Sequence, residues 1–323
     1  MALTREQRLG GALAAGAYFS WGLAPLYFKS LDFLPAAEIV MHRIVWSFAL
    51  LLGLLIARHQ ARRVWDVLRS ARLLGWMLLT SVLLIGNWGL FIWAVNNAHL
   101  LDASLGYYIN PLFNVLLGMV FLGERLRPLQ WAAVALAGSG VLIQLLTFGS
   151  LPWVALVLAS SFALYGLLRK TLDIDAISAL FIESLLMLPV ALWYWWLQAD
   201  SSATNLLANA WTLNLWLAAA GVITTVPLLC FIGGARRLQL STMGFFQYIG
   251  PSFMFVFSVW LFGETLAPAK LLTFCCIWVA LAVYSADALR HSRGNPGSPE
   301  GAEPCHDGPQ RQCPEQAGQR IEH

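Results

Sequence analysis

The chain has 323 residues, 59% of them apolar and 11% charged, with a formal net charge of +3 and a mean hydropathy of +0.66. Soluble domains carry about 25% charged residues, so this composition excludes an ordinary soluble protein and demands a surface that faces lipid. The small positive balance gives no reason to expect a nucleic-acid partner.

A helix needs about 20 apolar residues to cross the hydrocarbon core. Ten windows meet that need, at 9–28, 37–57, 73–95, 102–121, 129–147, 151–168, 176–197, 213–233, 241–262 and 268–288. The first follows Arg5 and Arg8 and runs on to Phe28, longer than the roughly 7–15 residues of a secretory leader, so it reads as a span.

The polar content of the spans follows in chain order. Trp21 lies deep in span one. In span two, Glu38, His42 and Trp46 fall on one stripe. Beside them, Arg43 sits roughly 10 Å below the outer surface at about 1.5 Å per residue. A charge at the centre of a span costs about 2.5–3.5 kcal/mol on insertion scales. Arg43 therefore snorkels to the interface, binds an anionic substrate group, or pairs with Glu183. His42 either lines the same vestibule or satisfies a backbone carbonyl, and its charged neighbour favours the vestibule.

Span three places Asn87 and Trp88 deep, and Asn96 and Asn97 at its outer end as caps. Asn87 needs a partner, often just another helix. Span four carries Tyr107, Tyr108, Asn110, Pro111 and Asn114. Tyr165 lies in span six. Glu183 in span seven lies roughly 10 Å from the inner face, where a buried carboxyl can cycle a coupling proton. Span nine holds Gln247, Tyr248 and Pro251. Pro111 and Pro251 each free a carbonyl and bend a helix, as candidate hinges. Trp153, Trp193, Trp195, Trp196, Trp211 and Trp216 sit at span ends as an interfacial belt.

Cys230, Cys275 and Cys276 read as small core residues. Cys305, His306 and Cys313 match no zinc spacing, so no metal or cofactor is expected. Neither HExxH, GxSxG nor GxxxxGK[ST] occurs, which argues against an enzyme and against ATP as the direct drive.

With the N-terminus inside, 17 of the 20 Lys and Arg fall on inner segments, as the positive-inside rule asks. Lys29 and Lys270 fall outside, and Arg43 within a span. Both termini are then cytoplasmic. The stretch 290–323 is rich in Pro, Gly and charge and reads as a disordered cytoplasmic tail.

One segment occurs twice. Residues 106–128 read GYYINPLFNVLLGMVFLGERLRP, and residues 244–268 read GFFQYIGPSFMFVFSVWLFGETLAP. Pro111, Gly123, Glu124 and Pro128 recur 140 residues later as Pro251, Gly263, Glu264 and Pro268. Five spans per half is an odd number, so the second half is inverted, and its copy lacks the arginines of the inner turn Glu124–Pro128. The fold class is thus an all-α polytopic membrane protein of ten helices in two inverted repeats, 1–148 and 149–289. Inverted halves place substrate sites near the midplane and serve alternating access. Arg43 and Glu183, also 140 apart, are candidates to face one cavity there. Glu124 and Glu264 read as caps of the helices that follow them.

These features resemble the drug/metabolite transporter superfamily, in particular its EamA-type group. The stretches Leu34–Ser47 and Ala103–Leu112 are similar to its RarD subfamily. The resemblance covers about residues 5–290. It implies a permease of the bacterial inner membrane that exports small organic molecules and is linked to chloramphenicol sensitivity. It also implies helices one to four and six to nine around a central cavity, with the fifth and tenth peripheral. The candidate cavity residues are then Trp21, His42, Arg43, Trp46, Asn87, Trp88, Tyr108, Asn110, Asn114, Tyr165, Glu183, Gln247 and Tyr248. A small solute and membrane lipid are the expected partners, with a coupling proton and a homodimer as further expectations. A membrane sensor or assembly factor that moves nothing is the alternative.

Overall fold

The computed structural model describes residues 5–122, 127–148, 151–172, 174–198, 201, 203–235, 237–238 and 246–294. The described elements are helical: α1 (Arg5–Lys29), α2 (Ala36–Ala57), α3 (Ala61–Leu68), α4 (Ala71–Asn96), α5 (Leu100–Leu122), α6 (Pro128–Phe148), α7 (Trp153–Thr171), α8 (Ala176–Leu197), α9 (Trp211–Ala235), α10 (Ile249–Val256) and α11 (Pro268–Gly294). A π turn over Phe257–Leu261 prolongs α10. Helices satisfy their own amides without water, the condition for lying in lipid.

Seven of the described helices (α2, α4, α5, α6, α8, α9 and α11) are long and apolar enough to cross a membrane. The other three expected spans fall on α1, which is long but less apolar, and on α7 and α10, which are shorter. Large apolar side chains such as Trp196, Trp211 and Trp260 stand exposed around the bundle. That is unfavourable in water and natural in lipid.

The main packing pairs are α6 with α11, α5 with α7, α1 with α9, α2 with α9, α2 with α8, α4 with α7, α1 with α10, α5 with α10, α2 with α4, and α4 with α8. Two glycines permit the closest approaches to a neighbouring backbone. A Cβ on Gly221 of α9 would lie 2.6 Å from the carbonyl carbon of Trp46 on α2, and one on Gly106 of α5 would lie 2.7 Å from the oxygen of Ala155 on α7. Small residues at such crossings bring backbones together where lipid supplies no hydrophobic drive.

Several expectations change. The segment 58–72, expected on the inner side, contains α3, which buries Val64 and Val67 and exposes Arg62, Arg63 and Trp65; two valines three apart give a short helix an apolar face. Cys275 is exposed on α11 and not in the core. Helix α11 continues to Gly294, past the boundary expected at 290; the described residues end there, and the remainder of the expected tail lies outside them. Glu124 also lies outside them. Pro111 lies inside the unbroken α5. Pro251 instead occupies the first turn of α10, after a turn at Gln247–Tyr248. A proline is tolerated there because those amides lack intrahelical partners. The two prolines are therefore not equivalent bends.

Candidate functional site

Arg43 lies about two turns into α2 and retains only 8% exposure. Its Cζ sits 3.8 Å from the ring centroid of Trp88 on α4 and 5.6 Å from that of Phe28 at the end of α1. Tyr27 and Tyr107 are its electrostatic neighbours. Phe28 and Tyr107 both meet Phe91 edge-on, at 6.1 and 5.7 Å, so the cation stands in an aromatic box. Stacking a desolvated cation on tryptophan stabilises it by about 2 kcal/mol, against about 2.5–3.5 kcal/mol for placing it in a span. The rings thus offset much of the charge but fill none of the five N–H donors. Nε is enclosed and has no partner, and Arg43 makes no ion pair among the described residues.

Glu183 on α8 occupies a second cluster. Its Oε2 accepts from the Tyr165 hydroxyl of α7 at 3.3 Å, while Oε1 is buried without a partner. Arg169 of α7 and Thr80 of α4 face the same carboxylate. Arg169 donates to the Ile174 carbonyl at 3.2 Å and keeps Nη1 unpaired. The expected Arg43–Glu183 pair does not form. Trp88 and Tyr165, which touch the two charges, pack against one apolar cluster that includes Leu180 and Ile182.

The remaining candidates divide by location. Asn87 serves helix packing: Nδ2 donates to the Leu158 carbonyl at 3.0 Å and to Ser161 at 2.9 Å, and Oδ1 accepts from Tyr107 at 3.4 Å. His42 takes the carbonyl alternative, with Nε2 2.7 Å from the Ala203 oxygen. Its ring meets Trp195 at 4.7 Å, so Trp195 turns inward from the expected belt. Glu38 accepts from Ser201 at 2.6 Å, and the start of α2 is thereby tied to the segment before α9. Trp21 lies against Tyr18 and Phe231, between α1 and α9. Trp46 and both amide atoms of Asn110 are enclosed without partners. Asn114 is exposed and Gln247 half-buried.

Tyr108 and Tyr248 stack with centroids 6.4 Å apart. Tyr108 also meets Phe274 and Trp278 of α11 and shares a hydrogen bond of 2.7 Å with Ser252. They join α5, α10 and α11, away from the Arg43 box. A groove of about 340 Å³ along α9, lined by Thr212, Leu215, Trp216 and Ala219, holds none of the candidates.

Phe28, Tyr27, Thr80 and Arg169 escaped the sequence reading. Phe28 and Arg169 sit at the ends of expected spans, where aromatics and cations are ordinarily interfacial, so nothing marked them as inward. Glu264 does not cap the helix that follows it. Its carboxylate accepts the amides of Leu100 and Leu101 at 2.7 and 2.8 Å, capping α5 and not the following α11. Gly263, at φ +67°, turns the chain to deliver it; only glycine adopts that conformation at no cost.

The profile of the EamA-like transporter family matches residues 8–146 and 151–286. The chain is 51% identical over 289 residues to "Protein RarD" of Escherichia coli K12, covering 90% of this chain and 98% of that one. It is 54% identical over 286 residues to an "Uncharacterized transporter" of Vibrio cholerae, covering 88% and 95%. It is 36% identical over 275 residues to "Chloramphenicol-sensitive protein RarD" of Pseudomonas aeruginosa, covering 82% and 90%. One solved crystal structure, 18% identical, covers 87% of this chain and 97% of its own at a TM-score of 0.56, a likeness of fold alone. A multi-pass helical membrane chain with these relatives is a membrane transporter, and it belongs to the EamA-like transporter family.

Proposed function

We propose that the protein is a secondary transporter of the bacterial inner membrane that exports small organic solutes by alternating access of two inverted five-helix halves. The observation that carries this reading is the packing map. Number the ten expected spans in order, leaving out α3. Advancing each span by five then turns the α5–α7 pair into α10–α1, α1–α9 into α7–α4, and α2–α9 into α8–α4. The pairs α6–α11, α2–α8 and α5–α10 map onto themselves, while α2–α4 has no comparable counterpart between α8 and α9 among the described residues. This exchange supports a pseudo-twofold relation between the halves, the arrangement in which one half rocks against the other, and the charge asymmetry supports termini on the cytoplasmic side. Glu183, a span carboxylate with one free oxygen, is the group we assign to proton coupling.

Solute counterflow in proteoliposomes tests the reading. Chloramphenicol heads the panel because a relative carries it in its name. Counterflow of any panel solute that is lost on Arg43→Ala is the expected result. A protein that moves no solute under any imposed gradient would be a sensor or assembly factor instead.

A further inference from the structure

The buried acids of the described residues are Glu38, Asp102, Glu183 and Asp287, and each is engaged elsewhere. Glu38 takes the Ser201 hydroxyl, Asp102 pairs with Lys270 at 2.9 Å, Glu183 takes Tyr165, and Asp287 pairs with Arg127 at 3.3 Å. Arg43 is thus a buried cation for which the described chain supplies a stack of rings and no counter-charge. A planar guanidinium offers two parallel N–H donors that match a carboxylate. The rings of Phe28 and Trp88 stand around it, with Tyr107 as an electrostatic neighbour.

We propose that Arg43 is the anchor of a substrate site for organic monocarboxylates with a flat apolar body, the carboxylate on the guanidinium and the body among the rings. The proposal deepens the transport reading and rests on it. One arginine balances one negative charge, which favours a monocarboxylate over a phosphate dianion. The aromatic walls favour an unsaturated body over a sugar.

The test is binding to the purified full chain in detergent, followed by Trp fluorescence and by the shift in melting temperature. Phenylacetate is compared with phenylacetamide, and indole-3-acetate with indole-3-acetamide; each pair differs in charge and little in shape. The expected result is a preference of about tenfold or more for the acid in the unmodified protein, the size of one charge-assisted pair. Arg43→Gln should abolish the preference, and Arg43→Lys, which keeps the charge and loses the fork, should retain part of it. Equal binding of acid and amide, or no binding of either, by the unmodified protein overturns the proposal and needs no variant. So does a preference that persists in Arg43→Gln. Counterflow of neutral solutes without acid preference would sink anion selectivity and leave transport standing. Acid-selective binding by a protein that moves nothing would do the reverse.

Discussion

Glu264 holds the amide of Leu101 at 2.8 Å across 163 residues of sequence. The same carboxylate takes the preceding amide, of Leu100, at 2.7 Å. The Gly-Glu element of the second repeat therefore caps the helix that carries the first repeat. Negative charge is favourable at a helix N-terminus, where amides lack partners. The Lys270–Asp102 pair and the Ser104 hydroxyl, which donates to the Pro251 carbonyl at 2.8 Å, brace the same junction of α5, α10 and α11.

Removing the cap should be felt in stability. Glu264→Ala is expected to cost about 0.5–2 kcal/mol, the range for a lost N-cap, read as a lower melting temperature in detergent. Glu264→Gln keeps an acceptor and should cost less. Equal melting of all three proteins would show that the clasp contributes nothing.

The same residue gives a pH signature. Burial lifts the Glu264 carboxyl above its ordinary 4.5, more than the α5 amides and Lys270 pull it down. The folded protein then holds this proton more tightly than the unfolded chain. Its contribution to stability is largest below 4.5 and declines as pH rises from there through the lifted value. Glu264→Gln should flatten that decline in melting temperature against pH, and an unchanged profile would contradict the assignment.

Glu183→Gln separates coupling from architecture. The amide can still accept from Tyr165, so the fold should melt within a few degrees of the parent. Proton-driven transport should fall at least tenfold while counterflow, which needs no net proton movement, continues. Identical pH dependence in the two proteins excludes Glu183 as the coupling group.

Close crossings predict intolerance. Gly221→Ala would press a methyl to 2.6 Å from the Trp46 backbone, and Gly106→Ala to 2.7 Å from the Ala155 oxygen. Since backbone must give in both cases, each should cost about 1–3 kcal/mol. Gly53→Ala, where an added Cβ meets nothing within 4 Å, is the control. Gel filtration of the three in detergent, with melting curves, checks the order.

Cysteines introduced at Asp32 and at Arg62, with Cys230, Cys275, Cys276, Cys305 and Cys313 replaced, test the orientation. An impermeant maleimide should label the first in intact cells and the second only after permeabilisation. The reverse pattern would invert the topology.

Helix positions were legible because a long apolar run has one outcome in lipid. Arg43 and Glu183 were legible as deep charges for the same reason. Which face each helix turns inward was not, since lipid and neighbouring helices are both apolar and the pattern carries little facing information. Hence Tyr108 and Tyr248, placed in the cavity by their polarity, lie at the junction with α11, while Phe28 proved to be part of the Arg43 box. The 140-residue offset marked Glu264 as special, but a cap that reaches into the other repeat leaves no local spacing to read.

The π turn at Phe257–Leu261 has a consequence for phase. A five-residue turn holds one residue more than the α-helix can use, and each extra residue rotates all that follows by roughly 100° at 3.6 residues per turn. Trp260 emerges at 83% exposure while Ser258 stays buried, and the chain leaves the turn aimed at α5. Excising one residue there would swing Glu264 about a quarter-turn away from Leu100, unclasping the repeats without altering either partner.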